Sequence, residues 1–281
     1  MRIRGMRLSA ATFSLVLISS CSPVLEPVVA PPPTARFHAK PAALTEPPAT
    51  PSHPAESARA TNGTFSGIVF EGVAFDARCH RLIVADQAAG PGSRFPDAAS
   101  AGQAHGGLAA VNAGFFTPEG EPLGMVVASG NPAGSWNSTS SLGSGVWHEN
   151  ASGQSAITRR ERLGRSAANG MRELIQAGPM LIENGRTVSG LDAAKSSART
   201  LILWDGGNRW WLGRTSPCSL ASLATAVSIG QPTGWQVRHA LNLDGGRSSD
   251  LWISEAIPGG PISRRPAWNR PVRNFLILNS R

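Results

Sequence analysis

Asp244 is the residue whose neighbours best equip it for chemistry. It stands in the run Ala240-Leu241-Asn242-Leu243-Asp244-Gly245-Gly246-Arg247-Ser248-Ser249-Asp250-Leu251-Trp252. Leu241 and Leu243 alternate as on a strand and deliver one carboxylate to its end. Gly245 and Gly246 follow at once. Without a Cβ, the backbone there can turn sharply and a ligand can approach it closely. Ser248 and the exposed N–H groups of such a turn offer neutral donors to an anion. A carboxylate beside a small, donor-rich turn suits chemistry on a sugar or a phosphate ester. The same Asp-Gly step also signals a hairpin turn, so the run has two readings.

Arg199 opens the apolar stretch Thr200-Leu201-Ile202-Leu203-Trp204. A guanidinium holds two phosphate oxygens at once, which an ammonium does not; a strand-end salt bridge would use the same residue. Asn112 closes the strand-like run Leu108 to Asn112. It could bond a sugar hydroxyl, or form an Asx turn ahead of Gly114. Glycoside cleavage commonly uses two carboxyl groups, and their separation decides inversion or retention. Asp244 could act as nucleophile, general base or orienting carboxylate. Glu119 and Glu121 are the nearest candidates for a second carboxyl group, although Thr117-Pro118-Glu119-Gly120 also reads as a solvated turn. The histidines are scattered, with neither a His-Glu-x-x-His helix nor zinc-ligand spacing. A calcium loop, a Gly-x-Ser-x-Gly elbow and a phosphate loop are absent too. The expectation is a site that uses neither metal nor cofactor.

These residues need a scaffold of strands. Runs at 67–75, 81–85, 108–112 and 125–129 are short and bounded by Gly, Pro or Asp. Runs at 200–204 and 209–212 flank Asp205-Gly206-Gly207-Asn208, a hairpin pattern. Further strands are expected at 236–243, 251–254 and 272–278. Ser216-Pro217 reads as an N-cap with Pro at the first helical position, and Leu220, Leu223, Ala224 and Val227 follow with helical spacing. A second helix is expected around Met171, Leu174 and Ile175. Strands come in runs rather than alternating with helices. The class is therefore α+β, mainly antiparallel sheet, in a single domain. The polar, Gly- and Ser-rich stretch 130–144, with Trp136 and Asn137, is long for an idle connection and reads as a substrate loop.

The N-terminus reads as a targeting segment. Arg2, Arg4 and Arg7 precede a short apolar stretch from Leu8 to Ser20, too short to span a bilayer. Ile18-Ser19-Ser20-Cys21 resembles a lipobox, which makes Cys21 the expected lipidation site and 1–20 a lipoprotein signal peptide. Residues 21–62 are rich in Pro and Ala without an apolar period, as in an extended tether. That leaves 63–281 for the folded domain. With Cys21 lipidated, Cys79 and Cys218 remain as an even pair in an exported protein, and a disulfide is expected between them. The net charge is +8. Arg264, Arg265, Arg270 and Arg273 cluster around Trp268, a patch that reads as solvated surface or as a contact for anionic envelope polymers. Export argues against nucleic acid as a partner.

Several segments, taken in order, resemble the bacterial branch of the phosphodiester glycosidase family. They are Val111-Asn112-Ala113-Gly114-Phe115-Phe116, Glu121-Pro122-Leu123-Gly124, Ser144-Gly145-Val146-Trp147, Gln176-Ala177-Gly178-Pro179-Met180-Leu181, Ser197-Ala198-Arg199-Thr200 and Ala240 to Ser249. The resemblance covers roughly 65–279. It implies an α+β fold in which antiparallel sheet wraps helices, and hydrolysis of a sugar-1-phosphodiester at its glycosidic side. It implies Asn112, Arg199 and Asp244 as catalytic residues. Gly245, Gly246, Ser248, Gly124, Asn137 and Gln176 would bind the substrate. Arg247 and Asp250 depart from the family pattern and bear on which substrate is taken. The reading is a lipid-anchored envelope hydrolase acting on a glycosyl phosphodiester. Its rival is a lipoprotein that binds an envelope glycan in the same cleft without cleaving it.

Overall fold

Short apolar runs broken by Gly, Pro and Asp become strands of three sheets, and every pairing within them is antiparallel. The computed structural model describes residues 55–230 and 232–281. The expected signal peptide, Cys21 and most of the expected tether lie outside them. The first sheet runs β1 (Arg59–Phe65), β2 (Ile68–Asp76), β13 (Arg209–Cys218), β12 (Ser197–Trp204), β14 (His239–Asn242), β10 (Met180–Glu183), β11 (Arg186–Thr187). The second runs β16 (Ile262–Arg264), β15 (Leu251–Ile253), β4 (Ala109–Asn112), β17 (Asn274–Ser280), β3 (His80–Asp86). The third runs β6 (Asn131–Ala133), β5 (Val126–Ala128), β9 (Glu173–Ala177), β7 (Gly145–Glu149), β8 (Ser155–Arg159). Three α-helices accompany them among the described residues: α1 (Ala98–Ala104), α2 (Arg160–Ala168) and α3 (Leu220–Gly230).

The three sheets face one another across a shared core. Val73, Ile202 and Leu212 from the first meet Val111, Leu251 and Leu276 from the second and Val126, Trp147 and Ile175 from the third. No helix residue belongs to this cluster. The expectation that sheet wraps helices is corrected here: the sheets enclose one another and the helices cover their outer faces. Successive strand residues point to opposite sides, so Ile202 faces the shared core while Leu201 and Leu203 meet Leu223 and Val227 of α3. Likewise Leu276 and Leu278 face inward, and Phe275 and Ile277 pack with Ala98 and Ala101 of α1. Strands buried on both faces read as continuous apolar runs, and burying each Leu, Ile or Phe stabilises by about 1.5–3 kcal/mol.

Some local expectations change. Met171, Leu174 and Ile175 do not form a helix. Glu173–Ala177 is strand β9, between β5 and β7, and a short fully buried apolar run suits either element. The helices missed by periodicity are α1 and the Arg-rich α2, the latter interrupted at Gly164, whose φ is +71°. Helix α3 starts at Leu220, and its first turn is held by Ser219, whose Oγ accepts from Ser222 N–H at 3.1 Å. Ser216 and Pro217 instead lie within β13, opposite the register shift between Ser197 and Arg199. A proline is tolerated there because it has no ladder donor to lose. Strand β1 begins inside the expected tether. It has no apolar alternation of its own and is held by pairing along its whole length with Ile68 to Ala74 of β2.

The expected disulfide is absent: both cysteines are free. Cys79 follows Asp76, which pairs with Arg209 at the start of β13, while Cys218 ends that strand. Nine residues of extended chain put roughly 30 Å between them, far beyond the span of a disulfide. An alkylating reagent should therefore label Cys79, which is exposed, in the native protein. It should label Cys218 only after unfolding, as peptide mass spectrometry would read. Equal protection of both would contradict this arrangement.

Candidate active site

Asp244 sits where the chain leaves one sheet for another. Strand β14 of the first sheet ends at Asn242, and β15, the next strand, belongs to the second. The Asp-Gly step is therefore a crossover and not a hairpin. Its backbone is pinned from two sides. Leu243 N–H donates to Thr200 O and Asp244 N–H donates to Ala113 O, both at 2.8 Å. A Cβ on Gly245 would stand 2.6 Å from Ala198 O, and Gly246 has φ +62°. Only glycine lets the turn lie this close against the start of β12, which carries Arg199.

Asn112 makes this junction rigid. Its Nδ2 donates to Asp244 O at 2.6 Å, and its Oδ1 accepts from Thr200 Oγ1 at 2.8 Å and from Asp250 N–H at 3.0 Å. The side chain is fully buried. It acts on the site through the backbone of Asp244 and is a positioning residue, not a group that meets substrate. Gln176 does the same for the 137–144 loop. Its Oε1 accepts from Met125 and Asn137 N–H, and its Nε2 donates to Asn137 O and Gly143 O. Asn137 in turn caps that loop, accepting from Ser140 N–H and donating to Leu123 O. Gly124 is needed because a Cβ would meet Gln176 O at 2.6 Å. Gly124, Asn137 and Gln176 thus shape the cleft wall from behind.

The cleft is a cavity of about 840 Å³. Asp244, Arg199, Gly245 and Gly246 line it together, as the sequence led one to expect; Ser248 lies beneath its surface. Glu119 and Glu121 do not line it. The second carboxylate there is Asp192, on the rim, whose Oδ1 accepts from Ala194 and Lys195 N–H. Those donors hold Asp192 below the usual carboxylate value.

Asp244 has the opposite character. Its Oδ1 accepts from Gly245 N–H at 2.9 Å, while Oδ2 has no hydrogen-bond partner at ordinary geometry and lies 3.6 Å from Arg270 Nη2. Burial raises its pKa above the ordinary 3.8, opposed by the Ser248 hydroxyl, Arg270 and the Gly245 N–H. Two residues earlier, Asn242 also lines the cavity. Both hydrogens of its Nδ2 are spent, on Gly178 O and Leu243 O, each at 2.8 Å. Its Oδ1 is buried with no partner. Asn242 and Asp244 both line the cavity, so two acceptors without a hydrogen-bond partner belong to one site.

Around them the cavity is cationic. Arg199 donates from Nε to Cys218 O and from Nη2 to Lys195 O. Among the described residues it forms no ion pair, so the expected alternative of a strand-end salt bridge is not realised there. Lys195 and Arg247, also in the lining, likewise have no ion pair with a carboxylate among the described residues. Arg270 is braced by donating from Nε to Ser248 Oγ at 3.0 Å, with its guanidinium over the ring of Phe116. Arg270, Lys195 and Asn242 were not singled out as site residues by sequence reasoning, and Arg247 was named only as a departure from the family pattern. Arg270 belonged to the basic cluster near Trp268, and nothing local in that cluster says that one member turns inward.

A family model described as phosphodiester glycosidase matches residues 105–279. A search of curated proteins finds no match. Among solved structures, the catalytic domain of zebrafish N-acetylglucosamine-1-phosphodiester alpha-N-acetylglucosaminidase, auto-inhibited by its pro-peptide, is similar. Its TM-score is 0.56 at 16% identity, covering 83% of this chain and 86% of that one. A hypothetical protein from Synechocystis gives 0.55 at 19% identity over 79% of this chain and 61% of that one. A Burkholderia pseudomallei protein described as exported gives 0.51 at 15% identity over 75% of this chain and 74% of that one. At such identities the likeness is one of fold.

Proposed function

Because the chain belongs to the phosphodiester glycosidase family, we propose that its cleft hydrolyses a glycosyl phosphodiester at the bond between the sugar C1 and the phosphate oxygen. The observation that supports this reading is the juxtaposition in one cavity of two buried acceptors without a hydrogen-bond partner, Asn242 Oδ1 and Asp244 Oδ2, with Arg199, Lys195 and Arg247, which have no ion pair among the described residues. Cations without carboxylate partners suit the phosphate, and Asn242 Oδ1 suits a sugar hydroxyl, since an unmet buried acceptor costs about 1–3 kcal/mol until something donates to it.

The chemistry then needs only one buried carboxylate. Ionised Asp244 takes a proton from water as the water oxygen bonds to C1. The C1–O bond breaks, and the phosphate monoester leaves with the electron pair. An ordinary glycosidase protonates its leaving group with a second carboxylic acid. A phosphate leaves as an anion, and preorganised guanidinium groups stabilise the charge that develops on it. That accounts for a cleft with Asp244 at its floor and no second buried carboxylate.

The test is sugar release from a glycosyl-1-phosphodiester by the purified protein. Arg199→Ala should reduce kcat/KM for the phosphodiester roughly a hundredfold, the scale of one lost preorganised donor, and affect a neutral aryl glycoside much less. Equal losses on both would remove Arg199 from phosphate binding. Binding without any cleavage by the parent would replace this reading with a glycan-binding protein using the same cleft.

The pH profile gives a second check. Only ionised Asp244 serves as base, so kcat/KM should rise with pH through a pKa above the usual carboxylate range. Arg270 opposes that rise in pKa. Removing its charge in Arg270→Met should move the acid limb to higher pH, because the carboxylate loses the cation that favours its charged form. An acid limb that stays in place would assign it to another group.

We infer in addition that the protein works in the cell envelope, anchored through Cys21. This rests on the Arg2–Arg7 basic region, the apolar stretch and Ser19-Ser20-Cys21. The fold likeness to a protein described as exported is consistent with it.

A further inference from the structure

Beside the catalytic cavity lies a second one of about 460 Å³, and the two share Arg159, Val188 and Ser189 in their walls. The second cavity adds Arg162 and Arg186 to Arg159, against a single carboxylate, Glu183. Glu183 accepts from Arg159 Nε at 2.6 Å and lies 3.8 Å from Arg162 Nη2. One acid thus ties two guanidinium groups side by side. Arg186, on β11 opposite Glu183 in register, has no ion pair among the described residues.

Taken together, the two cavities carry eight basic side chains and three carboxylates. A phosphodiester brings one negative charge, so this excess exceeds what the scissile group needs. The positions are also spread out. Strand β12, with Arg199, and β11, with Arg186, are separated by β14 and β10, three strand spacings or about 14 Å. A single sugar does not bridge that gap. We propose that the second cavity is an anion subsite continuous with the catalytic one, in which Arg159, Arg162 and Arg186 bind a further phosphate on the same substrate. The substrate would then be an oligomer of glycosyl phosphodiester units, not an isolated sugar-1-phosphodiester. This rests on the hydrolase reading for its substrate, but the subsite itself is a claim about binding.

The experiment pairs binding with turnover in the double variant Arg162→Glu/Arg186→Glu. Both side chains are exposed, so the fold should tolerate the change, which circular dichroism and melting would verify. A short-chain inorganic polyphosphate serves as the binding probe, titrated calorimetrically against orthophosphate. The parent should bind polyphosphate more tightly than orthophosphate. The double variant should lose about tenfold or more in polyphosphate affinity, since two contacts are lost and their charge is reversed. In turnover, a two-unit glycosyl phosphodiester oligomer should lose a similar factor in kcat/KM, and a one-unit diester should not. Unchanged polyphosphate binding in the variant overturns the subsite, whatever the turnover result. Equal turnover losses on both diesters also overturn it, since the change would then act on the catalytic cavity. Should the parent cleave neither diester while the polyphosphate difference holds, the subsite stands and the hydrolase reading falls.

Discussion

Asp244→Asn should abolish turnover, leave substrate binding in place and raise the melting temperature at neutral pH. The exchange keeps the shape of the side chain. An amide oxygen at the Oδ1 position still accepts from Gly245 N–H, which holds Asp244 at 2.9 Å. What disappears is the carboxylate proposed as the base. Loss of a positioned general base costs roughly 10²–10⁴ in rate, so kcat should fall by that factor with the substrate Kd little changed. The stability gain has a separate origin. Asp244 is 6% exposed, and burial raises its pKa above 3.8. The native state therefore holds its proton more tightly than the unfolded chain does. Stability from this group is greatest below the unfolded value and falls as pH rises through the native pKa; above it the charged carboxylate sits buried at full cost. Removing the charge relieves that cost. A gain of about 1 kcal/mol would raise Tm by roughly 2–4 °C in a domain of this size. It should shrink to nothing in acid, where the parent is protonated too. An inactive variant with an unchanged or lower Tm at neutral pH would argue that Asp244 is not a strained functional carboxylate. A fully active one would dismiss its role as base.

The site's centre was legible because its signals are local. A carboxylate at the end of an alternating run, followed by two glycines, marks a special turn wherever it falls. What made Gly245 obligatory, a 2.6 Å approach to Ala198 O, comes from a strand some fifty residues earlier and leaves no trace in the local pattern. The same applies to Arg270 and Lys195, which look like other solvated basic residues until the sheets bring them to one cavity. Among the elements, β12 and β17 were readable from their apolar runs. Strand β9 was not, because Glu173–Ala177 is buried on both faces, its Glu and Gln included, and so has no polar–apolar alternation to read. The disulfide failed for a related reason. An even count and an oxidising compartment say that two cysteines could pair, but the antiparallel register that sets them at opposite ends of β13 is a property of the fold.

Asn112 separates catalysis from the geometry that allows it, and Asn112→Ala should show the difference. In the parent this one amide joins three segments: β4, which bears it; Thr200 of β12; and the Asp244–Asp250 crossover. Truncation leaves Thr200 Oγ1, the Asp250 N–H and the Asp244 carbonyl without this partner in a fully buried place. Each orphaned group costs about 1–3 kcal/mol, and relaxation or an entering water recovers part of it. A net loss of about 3 kcal/mol is expected, or roughly 6–12 °C in Tm. Activity should fall as well, since a displacement of the Asp244 backbone by an ångström is enough to cost about a hundredfold in rate. The pH profile should keep its shape, because Asn112 neither carries nor receives the proton. A residue that touched the sugar would instead raise KM for substrates bearing the contacted hydroxyl and spare those that lack it. Asn112→Ala should slow all of them alike. If stability holds and only one substrate suffers, Asn112 reaches into the cleft after all, and the three-way brace drawn here is wrong.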